Sequence, residues 1–330
     1  MKPTAFISTP MAVSHPHFVM VKGYHMGSYW LAEAFSKAPG CALYFEYEHC
    51  LRRGMPTCCP SPNLTLGYLQ RGCSCSTARR HVGSDSCSGC SEYPLEGGCR
   101  ATGVQLGALG PVYITHIRQM QVQSPSLQIV FLARSNLVKH AVSFLRTSCG
   151  GTNHLTAAAH AKHHSGEWIS IPPPQLLHNI RTNSHAQQQV AEHARALAGG
   201  EPAYTLIYES AQRDLVGEIS NLLRAIGARP LPVGWNGVAG VIIKAGGDTL
   251  TTALSNYAEL EEALRPASCL HRMLTAAGPV GFGLDECKED LAAIPTKLAM
   301  QLQMGSQVAI SSRVLNASQC AGGAPRGGTV

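Results

Sequence analysis

Residues His17 to Gly40 read HFVMVKGYHMGSYWLAEAFSKAPG. Phe18-Val19-Met20-Val21 is an apolar run short enough for a buried strand. Gly23-Tyr24-His25-Met26-Gly27-Ser28 follows as a turn. Trp30, Leu31, Ala34, Phe35 and Ala38 then recur at helical spacing, and Pro39-Gly40 stops the helix. A strand–turn–helix unit puts unpaired backbone N–H groups and the positive end of a helix dipole at one spot. Gly27 lets an oxyanion approach the backbone, and Ser28 adds a hydroxyl donor. The same unit also serves α/β proteins as a plain connection, so the rest of the chain decides between the two. No Gly-Lys-Ser/Thr follows the turn, which argues against an ATP-type P-loop.

Working outward, strands alternate with helices. Leu43 to Glu48 (LYFEYE) reads as a second strand ending in carboxylates, with His49 beside them. Val112 to Val122 reads as an amphipathic helix. Leu127 to Ala133 (LQIVFLA) is the apolar type of strand found in a parallel sheet covered on both faces, and Arg134-Ser135-Asn136 follows it. Helices are expected from Leu137 to about Arg146, and from Gln175 to Ala198 after the Pro172-Pro173-Pro174 break. Tyr204 to Tyr208 reads as a strand running into Glu209. Leu215 to Ile226 and Leu250 to Leu264 read as further helices, with one or two more beyond Pro266. This alternation implies an α/β fold, three layers α/β/α around a mainly parallel sheet, with ligands at the C-terminal strand ends. His25, Glu46, Arg134 and Glu209 all lie just past such ends.

The domain reading is a tail over 1–16, one domain over 17–265, and a helical extension over 266–330 ending in a Gly-rich tail from Ala321. Residues 50–100, rich in Cys, Gly, Ser and Pro and without periodicity, read as an irregular insertion within the domain. Nine of the 13 cysteines fall from Cys41 to Cys99, so disulfides are expected in an oxidising compartment, and zinc or free thiols in a reducing one. No clean CxxC…CxxC pair is present. The His154, His160, His163, His164 group lacks a paired carboxylate or HExxH frame and reads as solvated helix or loop, so no metal is expected. A net charge of +6 mildly favours an anionic ligand but is too small and scattered for nucleic acid. No apolar run approaches the ~20 residues of a membrane span, and residues 1–18 put polar groups and prolines where a signal peptide's apolar centre would be. The expected compartment is cytoplasmic by default. The cysteine content, with the sequons at Asn63 and Asn316, is the argument for a secretory lumen. No oligomeric state is implied.

At Ile129 to Arg146, IVFLARSNLVKHAVSFLR, the chain resembles the sulfotransferases that use 3′-phosphoadenosine-5′-phosphosulfate (PAPS), in their carbohydrate-type and bacterial branch. In that family a strand ends in an arginine, and a helix soon after presents a serine; both bind the 3′-phosphate. Arg134 and Ser143 match those positions. An arginine offers a permanently charged, two-pronged grip, and the hydroxyl adds a donor. Three more stretches agree in order. Gly27-Ser28-Tyr29-Trp30-Leu31 resembles the 5′-phosphosulfate loop, with His25 at the usual basic residue and Met26 at the usual Ser/Thr. Tyr208-Glu209-Ser210 is similar to the family's Tyr-Glu-Asp/Ser strand end, and Lys244 with Asn256-Tyr257-x-Glu259-Leu260 to its late segment.

The resemblance implies a P-loop-like sulfotransferase fold, PAPS as donor without a metal, and a hydroxyl acceptor on a carbohydrate or small metabolite. His25, Met26, Gly27, Ser28, Tyr29, Trp30, Arg134, Ser143 and Lys244 would hold the donor. His25 or Lys22 would counter charge on the bridging oxygen, and Glu46, Glu48 or His49 would serve as the base. Alternation puts Glu46 and Glu48 on the same face and so does not choose between them. Two other functions compete. One is a P-loop nucleotide-dependent kinase, against which the missing lysine counts. The other is a non-catalytic Cys-rich binding protein on a sulfotransferase-like scaffold.

Overall fold

The central strand of the sheet is β1, His17–Lys22, buried along its whole length. In the computed structural model, residues 15–23, 26–44, 66, 69, 99–107, 111–148, 154–155, 169–236, 243–244, 250–278, 282 and 285–293 are described. From β1 the chain passes through α1 (Ser28–Lys37) to β2 (Cys41–Tyr44). Next come β3 (Ala101–Gly107), α2 (Pro111–Gln123), β4 (Gln128–Ala133) and α3 (Leu137–Ser148). A two-residue β5 (His154–Leu155) precedes the long α4 (Pro173–Ala198). Then follow β6 (Tyr204–Ile207), α5 (Tyr208–Arg213), α6 (Leu215–Ala225) and β7 (Ile243–Lys244), which pairs antiparallel with β5. After a 3-10 turn at Leu250–Thr252 come α7 (Tyr257–Leu264), α8 (Ser268–Thr275) and α9 (Lys288–Ala293).

The large sheet has the order β2-β3-β1-β4-β6, and every neighbouring pair is parallel. Strand alternation divides the core into two layers. Phe18 and Met20 pack with Leu31 and Phe35 of α1 and with Ile219, Leu222 and Leu223 of α6. Val19 and Val21 pack on the opposite side with Ile117 and Met120 of α2 and with Val190, Ala194 and Leu197 of α4. The result is the expected α/β/α arrangement. A third cluster joins α3, the start of α4, α7 and α8 through Val138, Leu145, Ile180, Leu260 and Leu270.

Several boundaries differ from expectation for identifiable reasons. β2 begins earlier, at Cys41, and residues 45–50, with Glu46, Glu48 and His49, lie outside the described residues. β3 was not expected at all. Its sequence, ATGVQLG, has few β-branched residues and two glycines, yet it lies between β1 and β2 and is buried throughout. Gly103 is needed there because a Cβ would strike the Phe18 ring on β1. Thr102 donates its hydroxyl to the Leu69 carbonyl (2.8 Å). The expected strand at Tyr204–Tyr208 ends one residue earlier, and Tyr208 opens α5. The helix expected over Leu250–Leu264 is interrupted. Asn256, at its break, accepts from the Ile171 amide (3.1 Å) and donates to the Ile171 carbonyl (2.9 Å) and to Glu259 (3.0 Å). The helix expected from Gln175 starts two residues earlier: Pro172 sits at its cap, and Pro173 and Pro174 occupy its first turn, where no N–H is needed. Beyond Pro266, a Cys269–Cys287 disulfide ties α8 to the turn before α9.

Candidate functional site

β1 hands the chain to β2 through α1, whereas β4 hands it on toward β6. Connections therefore leave these neighbours in opposite directions. In an open α/β sheet the crevice outside the carboxyl ends of such a pair is where ligands bind. Lys22 ends β1, and Arg134 directly follows β4. Their strands are in register with Lys22 opposite Leu132. Alternation puts Lys22 on the side of Phe18 and Met20, and Arg134 on the side of Val130 and Leu132, which is the same α1/α6 face. Both cationic residues are buried, each 2% exposed.

Between β1 and α1, Gly27 takes a left-handed conformation (φ 74°) and caps the helix without a side-chain bond. A side chain there would be strained, and its Cβ would overlap the Tyr208 ring. Leu31 is bonded back to the Gly27 carbonyl (3.3 Å). By helix geometry, the amides of Ser28, Tyr29 and Trp30 before it have no acceptor within α1. Met26 turns inward into the α1-side core and offers the crevice nothing polar. Trp30 is half-buried and meets Tyr208 edge to face, with centroids 5.8 Å apart.

Tyr208 is shared by both halves of the crevice. The guanidinium carbon of Arg134 lies 4.6 Å from the centroid of the same ring that blocks a Cβ at Gly27. A cation over an aromatic face is attracted by the ring quadrupole. Glu209, 1% exposed, completes the arrangement. It accepts from Arg134 Nε (3.2 Å), from the Ser135 amide (2.8 Å) and from the Ser135 hydroxyl (3.1 Å). On the opposite side, Gln187 of α4 accepts from the Arg134 amide (2.9 Å) and donates to the Arg134 carbonyl (3.0 Å). Asn136 caps α3 by accepting from the Lys139 amide (2.9 Å) and reaches α8 by donating to the Met273 carbonyl (2.9 Å). Ser135 Oγ accepts from the Phe282 amide (3.2 Å), and Lys139 Nζ donates to the Gly278 carbonyl (2.6 Å).

Of the residues singled out in the sequence, Lys22, Gly27, Trp30 and Arg134 gather around this crevice. Ser28 and Tyr29 open α1, and Ser143 is half-buried in α3. Lys244 lies in β7, paired by backbone with His154 rather than within the large sheet. His25, Glu46, Glu48 and His49 lie outside the described residues. Glu209, expected to lie at a ligand-binding strand end, holds the Arg134-Ser135 turn by hydrogen bonds, and its pairing with Arg134 was not foreseen. Nor was the role of Gln187, since one glutamine in a polar helix carries no mark in sequence. Among the described residues, no group of three or more His, Cys, Asp or Glu could hold a metal ion. No helix among them is long and apolar enough to cross a membrane.

The displaced titrations fall away from the crevice. His17, at the other end of β1, is held down at about 4 by burial and by neighbouring His15. Burial also lowers His15 and His116. The Cys41 thiol is pushed up to about 12 by burial, which makes it a packing group rather than a nucleophile.

Fold and crevice together define an open, doubly wound α/β protein. It has a glycine turn at a helix N-terminus and an arginine-bearing turn on adjacent strand ends. Solved structures similar to it include a sulfotransferase from Alicyclobacillus acidocaldarius, at 16% identity and a TM-score of 0.37, covering 79% of this chain and 96% of that one. Another is the sulfotransferase domain of the Synechococcus PCC 7002 olefin synthase, at 12% identity and a TM-score of 0.37, covering 89% and 97%. No protein-family model matches the chain, and no curated protein does either.

Proposed function

We propose that this chain is a PAPS-dependent sulfotransferase that moves a sulfuryl group to a hydroxyl on a carbohydrate or small metabolite. The observation that carries the reading is the shared ring. The Gly27 turn and the Arg134 guanidinium meet Tyr208 together, at the C-terminal ends of adjacent strands. A donor with phosphates at both ends of an adenosine needs two anion grips a fixed distance apart on one crevice. The amides at the start of α1 would take the 5′-phosphosulfate, with Ser28 adding its hydroxyl. Arg134 and Ser143 would meet the 3′-phosphate, and Lys244 would approach the nucleotide from the later segment.

Sulfuryl transfer is an in-line displacement in which positioning and stabilisation of spread negative charge do most of the catalysis. Lys22, or His25 in its protonated form, would balance the charge that grows on the bridging oxygen. Glu46, with Glu48 and His49 as the other candidates, would take the acceptor proton. A positioned base contributes ~100- to 10,000-fold. The donor already carries an activated sulfuryl group, so the reading calls for no metal.

Calorimetry with 3′-phosphoadenosine-5′-phosphate (PAP) tests the donor site, and an acceptor screen with radiolabelled donor tests the reaction. Tight PAP binding that Arg134→Ala weakens is the expected result. Zinc binding without any nucleotide binding would instead favour the Cys-rich binding protein.

A further inference from the structure

The β4–β6 ladder ends at the pair Ala133 and Ile207, because the chain turns into α5 at Tyr208. The β1–β4 ladder ends at Lys22 and Leu132. The peptide groups of Arg134 therefore lie beyond the last strand partner on either side, yet the residue is buried. Gln187, itself only 7% exposed, bonds both the N–H and the C=O of this residue. Its amide oxygen accepts the Arg134 N–H, and its amide nitrogen donates to the Arg134 carbonyl. One side chain thus reproduces the two bonds that a further strand residue would make. Burying a primary amide is tolerated only when both its ends are bonded, and both ends here go to the same residue. With Glu209 on Nε and Tyr208 against the guanidinium, Arg134 is fixed at its backbone, its inner nitrogen and its face.

We infer that Gln187 is a positioning residue for the arginine, holding the Arg134 backbone as a surrogate strand partner so that the guanidinium meets the 3′-phosphate of the donor. The inference rests on the donor reading for its ligand but not for its geometry. Gln187 acts through Arg134 and not on substrate.

The test uses the full chain with Gln187→Leu and Gln187→Glu, each with and without Arg134→Ala. The first readout is the ratio of affinities for PAP and adenosine 5′-phosphate, which differ by the 3′-phosphate alone. Gln187→Leu is expected to lower that ratio about 10-fold, which corresponds to losing roughly one charge-assisted contact. Gln187→Glu, which keeps the acceptor and loses the donor, should fall between. In the Arg134→Ala background the same substitutions should leave the ratio unchanged. A merely structural glutamine would lower stability in both backgrounds and leave the ratio alone, and that result overturns the inference. The second readout is hydrogen exchange of the Arg134 Nε–H, assigned by its loss in Arg134→Lys. Gln187→Leu should speed it at least 10-fold by loosening the bond to Glu209. Should the wild-type chain show no preference for PAP, the donor reading fails. The Nε–H exchange then decides the positioning role alone, and unchanged exchange refutes it.

Discussion

Removing the Glu209 carboxylate is the sharpest structural perturbation of the crevice. Glu209 and Arg134 have side chains only 1% and 3% exposed, with 3.2 Å between Oε1 and Nε. Glu209→Ala leaves the guanidinium buried without its counter-charge. Breaking such a pair from one side costs about 3–5 kcal/mol. The same change strands the Ser135 amide and hydroxyl, which Glu209 also accepts. An orphaned buried donor costs about 1–3 kcal/mol, not fully additive with the first term. A total loss of roughly 4–6 kcal/mol is a large share of the ~5–15 kcal/mol that holds a typical domain together. Glu209→Gln should lose less, about 2–3 kcal/mol, because its carbonyl still serves Ser135 while its NH2 opposes Arg134 Nε. The diagnostic variant is Glu209→Leu combined with Arg134→Met. With both charges gone, the double variant should be at least ~2 kcal/mol more stable than the sum of the singles allows. Urea unfolding followed by circular dichroism measures all four corners of this cycle. A Glu209→Ala variant within about 1 kcal/mol of wild type, or a cycle with no coupling, would refute the claim that the pair acts as one buried unit.

Other perturbations read out different parts of the structure. Gly27→Ala should destabilise by about 2 kcal/mol or more, through a left-handed alanine and a displaced Tyr208 ring, and should weaken PAP binding; a neutral result by thermal melting and calorimetry would count against the shared ring. The Cys269→Ser/Cys287→Ser pair opens a loop of 18 residues, which the chain-entropy account values at about 3 kcal/mol, and urea midpoints of the two forms should show it. Acid should destabilise the fold through its buried histidines. His17 has a native value of about 4 against 6.5 unfolded, so between these pH values the unfolded chain binds more protons, and stability falls as pH drops through that window. His15 and His116 are displaced in the same direction and add to the effect. A His17→Asn variant should flatten the dependence of melting temperature on pH across that range.

The elements legible in the sequence were those whose own residues pay the folding cost locally. β1 and β4 are continuous apolar runs, and α1 and α6 carry periodic faces and recognisable stops. β3 was illegible because its strand character is borrowed. Ala101, Gly103 and Gly107 have little intrinsic preference for extended structure, and the segment is held by pairing with β1 and β2 on both edges. Its small residues are demanded by a partner far away in sequence, the Phe18 ring against Gly103. The broken helix at Leu250–Leu264 has a similar cause. The periodicity is real, but Asn256 bonds Ile171 across a long sequence gap, and that tertiary bond overrides the local preference.

The candidate site divides along the same line. Its charged members stood out, because an arginine after an apolar strand and a glycine before an amphipathic helix are local patterns. What fixes those groups did not stand out. Gln187 brackets a single residue, Arg134, with one amide side chain bonded to both its N–H and its C=O; Asn256, in the late segment that did stand out, does the same to Ile171. Asn and Gln are the side chains whose primary amide can mimic a peptide in this way, offering donor and acceptor in one plane. Nothing in a window of sequence distinguishes Gln187 from a solvated surface amide. The distinction lies in burial, and burial is set by elements more than fifty residues away. A reading of strand-end chemistry in this chain therefore identifies the groups that could meet a ligand before it identifies the amides that hold them in place.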